Sequence, residues 1–523
     1  MKQKYKNIII IVLLTLISSI PIFLKNEALA QGHDTMFHLN RILGVSDNLK
    51  ILKPNPVYYN YLNHFGYGNG IFYPDIFLYI PALLFNFGIS IIDSYKIFII
   101  IINLFSILSI KVCLDKTIKD EKSTKIGMIL YAFSMYRFTD MYIRGAIGES
   151  IGFIFLPLVV LGLYKIFFEN HKEGYYLLIG LVGLMLSHVI TTYITIFIIV
   201  IFTIMNYKYL DRTRTKELII NILLSMAITS FFWLPMIEQL LSNEFNIKNN
   251  VKIFENCIPI QYLMTDIEAI KNDSWYPPGI GAIYYILIPM FIKTKNKNRF
   301  INVIFTFGII SICMASLKIL WKIPLLYKLL SVIQMPWRMY NIATICFIIV
   351  TCFILKENEK NKMTTIFITY ASFLFLINCI LLSKNPIIRN DFHGDSIMTG
   401  EYLPIELKDN YLHFFEEYKN NDIKYEHEHE KLKIEIINNK EEIELPLIYY
   451  KGYVAQPNNN IEIKKSNQGL VMIKAPKDTK EVTIFYKGTR IKKFSKIITL
   501  IGLLLIILND IDHTKNNEKK NKK

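Results

Sequence analysis

The 523-residue chain has no glycine-rich phosphate loop and no paired-histidine zinc-protease motif, so nucleotide phosphoryl chemistry and zinc proteolysis leave no signature in it. Cysteine is scarce, at six residues. Cys113, Cys313, Cys346, Cys352 and Cys379 fall in apolar blocks, and Cys257 alone sits in a long polar loop. No pairing framework emerges, and disulfides are not expected to hold the fold. A nucleic-acid face is missing too. The net charge of +16 is spread in short basic tracts between apolar blocks and at both ends. That is the distribution of the positive-inside rule, and it points to an anionic inner leaflet rather than to nucleic acid.

What the chain has is apolar length. It is 52% hydrophobic and 14% aromatic, and its apolar residues come in runs of roughly 15–25, enough for helices that cross a bilayer core of about 30 Å. The expected class is a polytopic α-helical membrane protein. The first run follows "MKQKYK" and precedes "ALA" at 28–30, which together resemble a signal peptide with its cleavage site. The apolar core of this run is long enough to stay as an anchor, and it is read as the first helix.

Charge between the runs sets the topology. Starting with Lys2, Lys4 and Lys6 in the cytoplasm, helices are expected near 7–24, 91–113, 124–136, 150–168, 216–240, 299–317, 363–383 and 494–509. Another precedes "KTKNKNR" and another precedes "KENEKNK". Residues 174–205, too long for one straight crossing, divide near Ser187-His188 into two. About 12 crossings put both termini and nearly all short basic loops inside, while the long loops, rich in aromatics, Pro and Gly, face out. "YPDIFLYIPALLFNFG" is apolar but broken by Pro74 and Pro81, and reads as an interfacial or re-entrant piece. Between 384 and 493 the pattern changes to period two. Leu432, Ile434 and Ile436 alternate with Lys431, Lys433 and Glu435, and Val482, Ile484 and Tyr486 do likewise. A small extracytoplasmic β-sandwich is expected there. The domains are thus 1–383, a transmembrane body with long outer loops; 384–493, the β-rich region; and 494–523, the last helix with a basic cytoplasmic tail.

Chemistry-bearing residues gather at the expected outer helix ends. "QGHDTMFHLN", 31–40, holds His33, Asp34 and His38. Phased as a helix, Asp34, His38 and Arg41 share one stripe opposite Met36, Leu39 and Leu43, an amphipathic helix lying at the interface. The bland reading is an N-cap at Asp34 and a solvated face. In "YRFTDMYIRGAIGE", Arg137, Asp140 and Arg144 fall at i, i+3 and i+7. Two arginines for one aspartate leave a cation for phosphate, Gly145 and Gly148 allow close backbone approach, and Glu149 opens the next helix. An ordinary interfacial salt-bridge cluster explains the same pattern. In "MPWRMYN", Trp337 and Tyr340 suit an aromatic belt, and Arg338 either snorkels or binds a lipid phosphate. His188 is polar inside a membrane segment, functional or simply bonded at a helix break. "EHEHE", 426–430, places His427 and His429 on one face of a strand, but no further ligand follows and zinc needs three or four. "DID", 510–512, lies in the basic tail and is set aside.

The order of these motifs carries a resemblance. "HDTMFHL" right after the first helix, then "YRFTDMYIRGAIGE", "WLP" at 233–235, "PWR" at 336–338 and "LPLIYYKGY" at 445–453 resemble the YfhO-like bacterial membrane proteins. These belong to the superfamily of GT-C fold glycosyltransferases and are related to a family labelled 6-pyruvoyl-tetrahydropterin synthase-related. That label suggests a soluble zinc enzyme, and nothing in these residues supports pterin chemistry. The resemblance implies an inverting transferase in a bacterial cell membrane that takes a sugar from a polyprenyl-phosphate carrier on the extracytoplasmic face. The acceptor is an envelope polymer such as teichoic acid. An acid of the first outer loop acts as base, here Asp34, with Asp140 or Glu149 as the assisting acid. Arg144 with Arg137 or Arg338 would hold phosphate, and His33, His38, Arg41 and His188 would orient substrates. No cofactor is obligatory, although a divalent cation is compatible. Partners would be the lipid-linked donor, the polymer acceptor, the bilayer, a lipid-charging glycosyltransferase and a flippase. A lipid or sugar transporter, or a non-catalytic envelope-assembly protein, is the competing class.

Overall fold

The computed structural model describes residues 2–25, 27–248, 253–259, 279–281, 283–358, 361–390, 400–407, 411–438, 440–457 and 460–521. Most of the expected long loop 241–279 lies outside these. Fourteen helices concern the argument. They are α1 (Lys2–Ser18), α2 (Thr35–Lys50), α3 (Tyr79–Asn86), α4 (Ile91–Thr117), α5 (Glu121–Ala132), α6 (Ile147–Phe168), α7 (Tyr175–Met185), α8 (Val189–Met205), α9 (Arg212–Ser242), α10 (Ile283–Lys293), α11 (Arg299–Ser316), α12 (Tyr340–Asn358), α13 (Asn361–Leu382) and α14 (Arg490–Asn521).

Against about 12 expected crossings, six helical segments among the described residues are long and apolar enough to span a membrane. These are Ile91–Thr117, Ile147–Phe168, Arg212–Ser242, Arg299–Ser316, Pro336–Glu357 and Lys362–Leu382, and five shorter apolar helices accompany them. The shortfall has a geometric cause. At 1.5 Å per residue, α5 and α7 rise less than about 20 Å. The sequence sets several of the boundaries. Ser90 caps α4 by accepting from the Asp93 N–H, Asp120 caps α5 through Ser123, and Asn298 caps α11 through Ile301. His188 accepts from the Thr191 N–H and starts α8, so 174–205 breaks where the sequence placed the division. The apolar piece after Pro74 becomes a 3-10 turn, Ile76–Leu78, and the eight-residue α3.

The chain divides into two compact units: Met1–His38, Gly88–Leu223 and Val251–Phe392; and Leu39–Phe87, Leu224–Asn250 and His393–Lys523. The first contains most of the helices. In it "ALA" forms a buried strand, β1 (Ala28–Ala30), paired antiparallel with β2 (Ile387–Arg389). The Gln31 N–H continues the ladder to the Pro386 carbonyl at 2.8 Å. Trp337 and Tyr340, expected in an interfacial belt, are instead core residues, 2% and 0% exposed.

The second unit contains the period-two region. Seven strands form two antiparallel sheets. One runs β3 (Ile423–Glu428), β4 (Lys431–Ile436), β9 (Glu481–Tyr486), β6 (Tyr453–Gln456); the other runs β5 (Ile443–Ile448), β8 (Leu470–Lys474), β7 (Glu462–Lys465). Leu432, Ile434, Val482 and Ile484 are buried while Lys433 and Glu435 are exposed, as the alternation requires. The strand through "EHEHE" ends at Glu428, and His429 turns the chain at φ +50. His427 therefore faces His64, ring centroids 5.3 Å apart, without His429 beside it. In the same unit α9 and α14 are joined by Ser230 Oγ, which donates to the Ser495 carbonyl at 2.8 Å. Leu500, Leu504 and Leu508 of α14 are exposed, an apolar surface suited to lipid.

Candidate functional site

The site is built where α5 gives way to α6. The chain runs through a short helix, Met135–Phe138, into a π-turn, Thr139–Ile143, closed by the Arg144 N–H on the Thr139 carbonyl at 2.8 Å. A π-turn takes up an extra residue and shifts the helical phase. Arg137 therefore leaves the face that i, i+3, i+7 spacing assigned to it. It is buried and donates to Asn103 Oδ1 and to the Ala132 carbonyl, with its guanidinium 5.4 Å from the Tyr131 ring.

Asp140, Arg144 and Glu149 do converge. Arg144 Nη1 donates to Asp140 Oδ1 and, at 2.8 Å, to Glu149 Oε2. Both acids are fully buried. Glu149 Oε1 accepts from the Tyr136 hydroxyl at 2.9 Å and from Asn341 Nδ2. Arg338 brings its Nε to 3.8 Å from Glu149 Oε2, while its Nη1 donates to the Ile333 carbonyl at 2.7 Å. Glu149 is thus ringed by donors from 136, 144, 338 and 341. Ser150 Oγ reaches Asp140 Oδ2 at 3.4 Å. Burial, and then the adjacent Glu149 charge, push the Asp140 carboxyl well above the usual range despite Arg144. The shift is toward the neutral form of Asp140, with Glu149 on the other side of Arg144. Two guanidiniums for one carboxylate leave about one positive charge. Arg144 Nε and Arg338 Nε are buried donors with no hydrogen-bond acceptor among the described residues. Buried donors left so call for an explanation, such as a ligand oxygen.

The first expected outer loop docks on this cluster through its backbone. The His33 N–H donates to the Ile143 carbonyl at 3.1 Å and the Asp34 N–H to the Arg144 carbonyl at 2.7 Å. The fit is close. Thr35 Oγ1 accepts from the Gly32 N–H at 3.0 Å. Gly145 sits at φ +67, and a Cβ there would lie 2.2 Å from Thr35 Oγ1. Asp34 directly precedes α2 and is half-buried, so of the three acids it alone meets solvent. Partial desolvation, reinforced by Arg144, lowers the His33 pKa against the opposing pull of Asp34.

The expected solvated stripe of α2 does not form. His38 is 2% and Arg41 1% exposed, nearly as buried as Leu39. Arg41 lies in the second unit, where its Nη2 donates to Asp75 Oδ1 and to the Pro74 carbonyl, both at 2.8 Å, with Tyr73 stacked 3.9 Å away. It ties the 73–75 segment rather than joining the cluster. His188 is buried, with its Nδ1 2.7 Å from Thr191 Oγ1. Tyr136, Asn341, Thr35 and Gly32 are the participants that sequence reasoning missed. Only Asn341, three residues after Arg338 and so on its helical face, left a signal. Asp140 Oδ1 and both oxygens of Glu149 are engaged by Arg144, Tyr136 and Asn341. Among the described residues no three His, Cys, Asp or Glu side chains group as metal ligands.

Residues 71–387 match the family described as 6-pyruvoyl-tetrahydropterin synthase related domain; membrane protein. That span covers more than half of the chain and includes Asp140, Arg144, Glu149, His188 and Arg338. The chain belongs to this family. With six helices among the described residues long and apolar enough to span a bilayer, it is a multi-pass membrane protein. No curated protein matches it. Among solved structures it is similar to the arabinofuranosyltransferase AftD from Mycobacteria, mutant R1389S, at 11% identity and a TM-score of 0.40. That likeness covers 71% of this chain and 27% of AftD, so the chain spans about a quarter of that protein's length.

Proposed function

We propose that this membrane protein is a glycosyltransferase of the GT-C kind, moving a sugar from a polyprenyl-phosphate carrier to an envelope acceptor on the extracytoplasmic face. One observation carries the reading. A half-exposed acid, Asp34, is pinned by its own backbone to Arg144, whose guanidinium, with that of Arg338, forms a buried cationic pair holding unused N–H donors. Base and phosphate cradle are thereby fixed to each other.

The chemistry follows from that pairing. Asp34 takes the proton of an acceptor hydroxyl as its oxygen attacks the anomeric carbon. The bond from that carbon to the phosphate oxygen breaks, and polyprenyl phosphate leaves with its charge against Arg144 and Arg338. A single displacement inverts the anomeric centre. Glu149, saturated by donors, orients the two arginines rather than acting as a base. Asp140 fixes Arg144 from its other side. A transporter would concentrate its ionisable groups at discontinuous helices near mid-bilayer in two related halves. Here the acids and arginines sit at the starts of α6 and α12 and in the connector before α6.

The test is transfer from a polyprenyl-phosphate sugar by the purified full-length protein, with Asp34→Asn as the control variant. Loss of transfer by about 10²-fold or more with normal membrane insertion is expected. Undiminished transfer by that variant would sink the assignment of the base. A deletion strain should lack a sugar on its wall polymers and accumulate the lipid-linked donor.

A further inference from the structure

The sheet β3-β4-β9-β6 buries one face and turns the other to solvent. On the solvent face the register sets side chains in rows across the strands. Glu428, Lys431, Phe485 and Val454 form one row, and Glu426, Lys433, Thr483 and Gln456 the next. Lys424, Glu435 and Glu481 form the third. The last two rows line a groove with a volume of about 480 Å³, within the range of roughly 300–1,000 Å³ of small-ligand sites. No residue of this groove belongs to the cluster around Glu149.

Its charge pattern restricts the occupant. On β3 and β4 every lysine stands opposite a glutamate: Lys424 faces Glu435, Lys433 faces Glu426, and Lys431 faces Glu428. The positive charge is therefore cancelled within the sheet, and no cationic surface remains for a phosphate polymer. The β9 and β6 side adds a hydroxyl, an amide and a further carboxylate, from Thr483, Gln456 and Glu481. Glu481 stands directly opposite Glu435, a like-charge juxtaposition that costs stability in a sheet. Two adjacent hydroxyl donors would relieve it, since side-by-side carboxylates accept from both oxygens of a vicinal diol through charge-assisted bonds. Thr483 and Gln456 both give and take hydrogen bonds at the groove floor.

We propose that this groove binds a neutral polyhydroxylated chain, a glycan without phosphate groups, through the vicinal hydroxyls of its sugar rings. The inference names an acceptor class for the transferase reading and rests on that reading for its purpose, but binding is measured with no donor present. Full-length protein in nanodiscs of zwitterionic lipid is titrated with maltoheptaose, and in a second arm with oligomeric glycerol phosphate of similar length. Maltoheptaose should bind equally well at low and high salt, because no net charge is neutralised. The double variant Glu435→Gln, Glu481→Gln and the single variant Thr483→Val should each weaken it by about fivefold or more. Because no donor is present and the readout is binding at the groove variants, a failure of the catalytic reading leaves this result untouched. The proposal is overturned if maltoheptaose does not bind, if the groove variants bind it undiminished, or if glycerol phosphate binds more tightly and competes.

Discussion

The protonation of the buried acids can be tested without any substrate. Glu149 accepts from Tyr136, Arg144 and Asn341, whereas burial and the Glu149 charge push the Asp140 carboxyl well above the usual range, toward its neutral form. Asp140→Asn then replaces one neutral group by another of the same shape, with the amide turned to give its oxygen to Arg144, and should cost less than about 1 kcal/mol. Glu149→Gln removes the counter-ion, but it also removes the charge that kept Asp140 protonated. Asp140 ionises and takes over Arg144, and the cost should stop at about 1–2 kcal/mol, mainly the misdirected amide. The double variant leaves Arg144 buried with no carboxylate, the situation that typically costs about 3–5 kcal/mol. The double should therefore exceed the sum of the singles by roughly 1–3 kcal/mol. The assay is equilibrium unfolding of the full-length protein in a mild detergent titrated with a denaturing one. Additive losses, or an Asp140→Asn variant as unstable as the double, would refute the assignment of one charge shared between the two acids.

Gly145→Ala places a methyl 2.2 Å from Thr35 Oγ1 at a left-handed backbone position; it should lower transfer about 10²-fold by displacing Asp34, with Thr35→Ala in the same chain restoring part of the rate. Arg338→Ala should raise KM for the lipid-linked donor and lower kcat, whereas Arg41→Met should lower stability by about 3 kcal/mol, read by unfolding, by stranding Asp75. Desolvation, and then His64, lower the His427 pKa from 6.5 to about 4. Between those values the unfolded chain binds a proton that the folded one does not, so this contribution is full above about pH 6.5 and is lost as pH falls toward about 4. Allowing for the ring's partial exposure, unfolding at pH 5 should be easier by about 1 kcal/mol, and His427→Gln should abolish that difference.

Local rules made much of the fold legible. Length and apolarity located the long helices, the excess length of 174–205 located the break near 188, and period-two alternation located the strands of the second unit. Helix boundaries around the site were less accessible, because nothing in "RFTDM" distinguishes a π-turn from the helix that surrounds it. One inserted residue was enough to send Arg137 to Asn103 while Arg144 kept Asp140. The fate of Arg41 was hidden for a different reason. Its phase on α2 was read from the helix alone, and its partner Asp75 lies 34 residues further on. A stripe of polar side chains at helical spacing says which residues share a face, not whether that face meets water or another segment.

The same distinction explains why the charged members of the site were found and the neutral ones were not. Charged side chains near apolar helix ends stand out against their surroundings, since each must find a partner or pay for desolvation. Tyr136 and Asn341 carry no such signal. Asn341 meets Glu149 across 192 residues of chain, a distance over which only the packing of α6 against α12 brings them together. Their hydrogen bonds nevertheless decide the chemistry. With Tyr136 and Asn341 on one oxygen and Arg144 on the other, Glu149 is already engaged by three donors. Asp140, pushed toward its neutral form and bound to Arg144, is poorly placed as a base too. Both acids in the buried cluster hold arginines, and the proposed proton abstraction is assigned to Asp34, outside it. Glycines at 32 and 145 matter for this reason. They let the Asp34 backbone close directly onto the residue whose side chain would receive the phosphate.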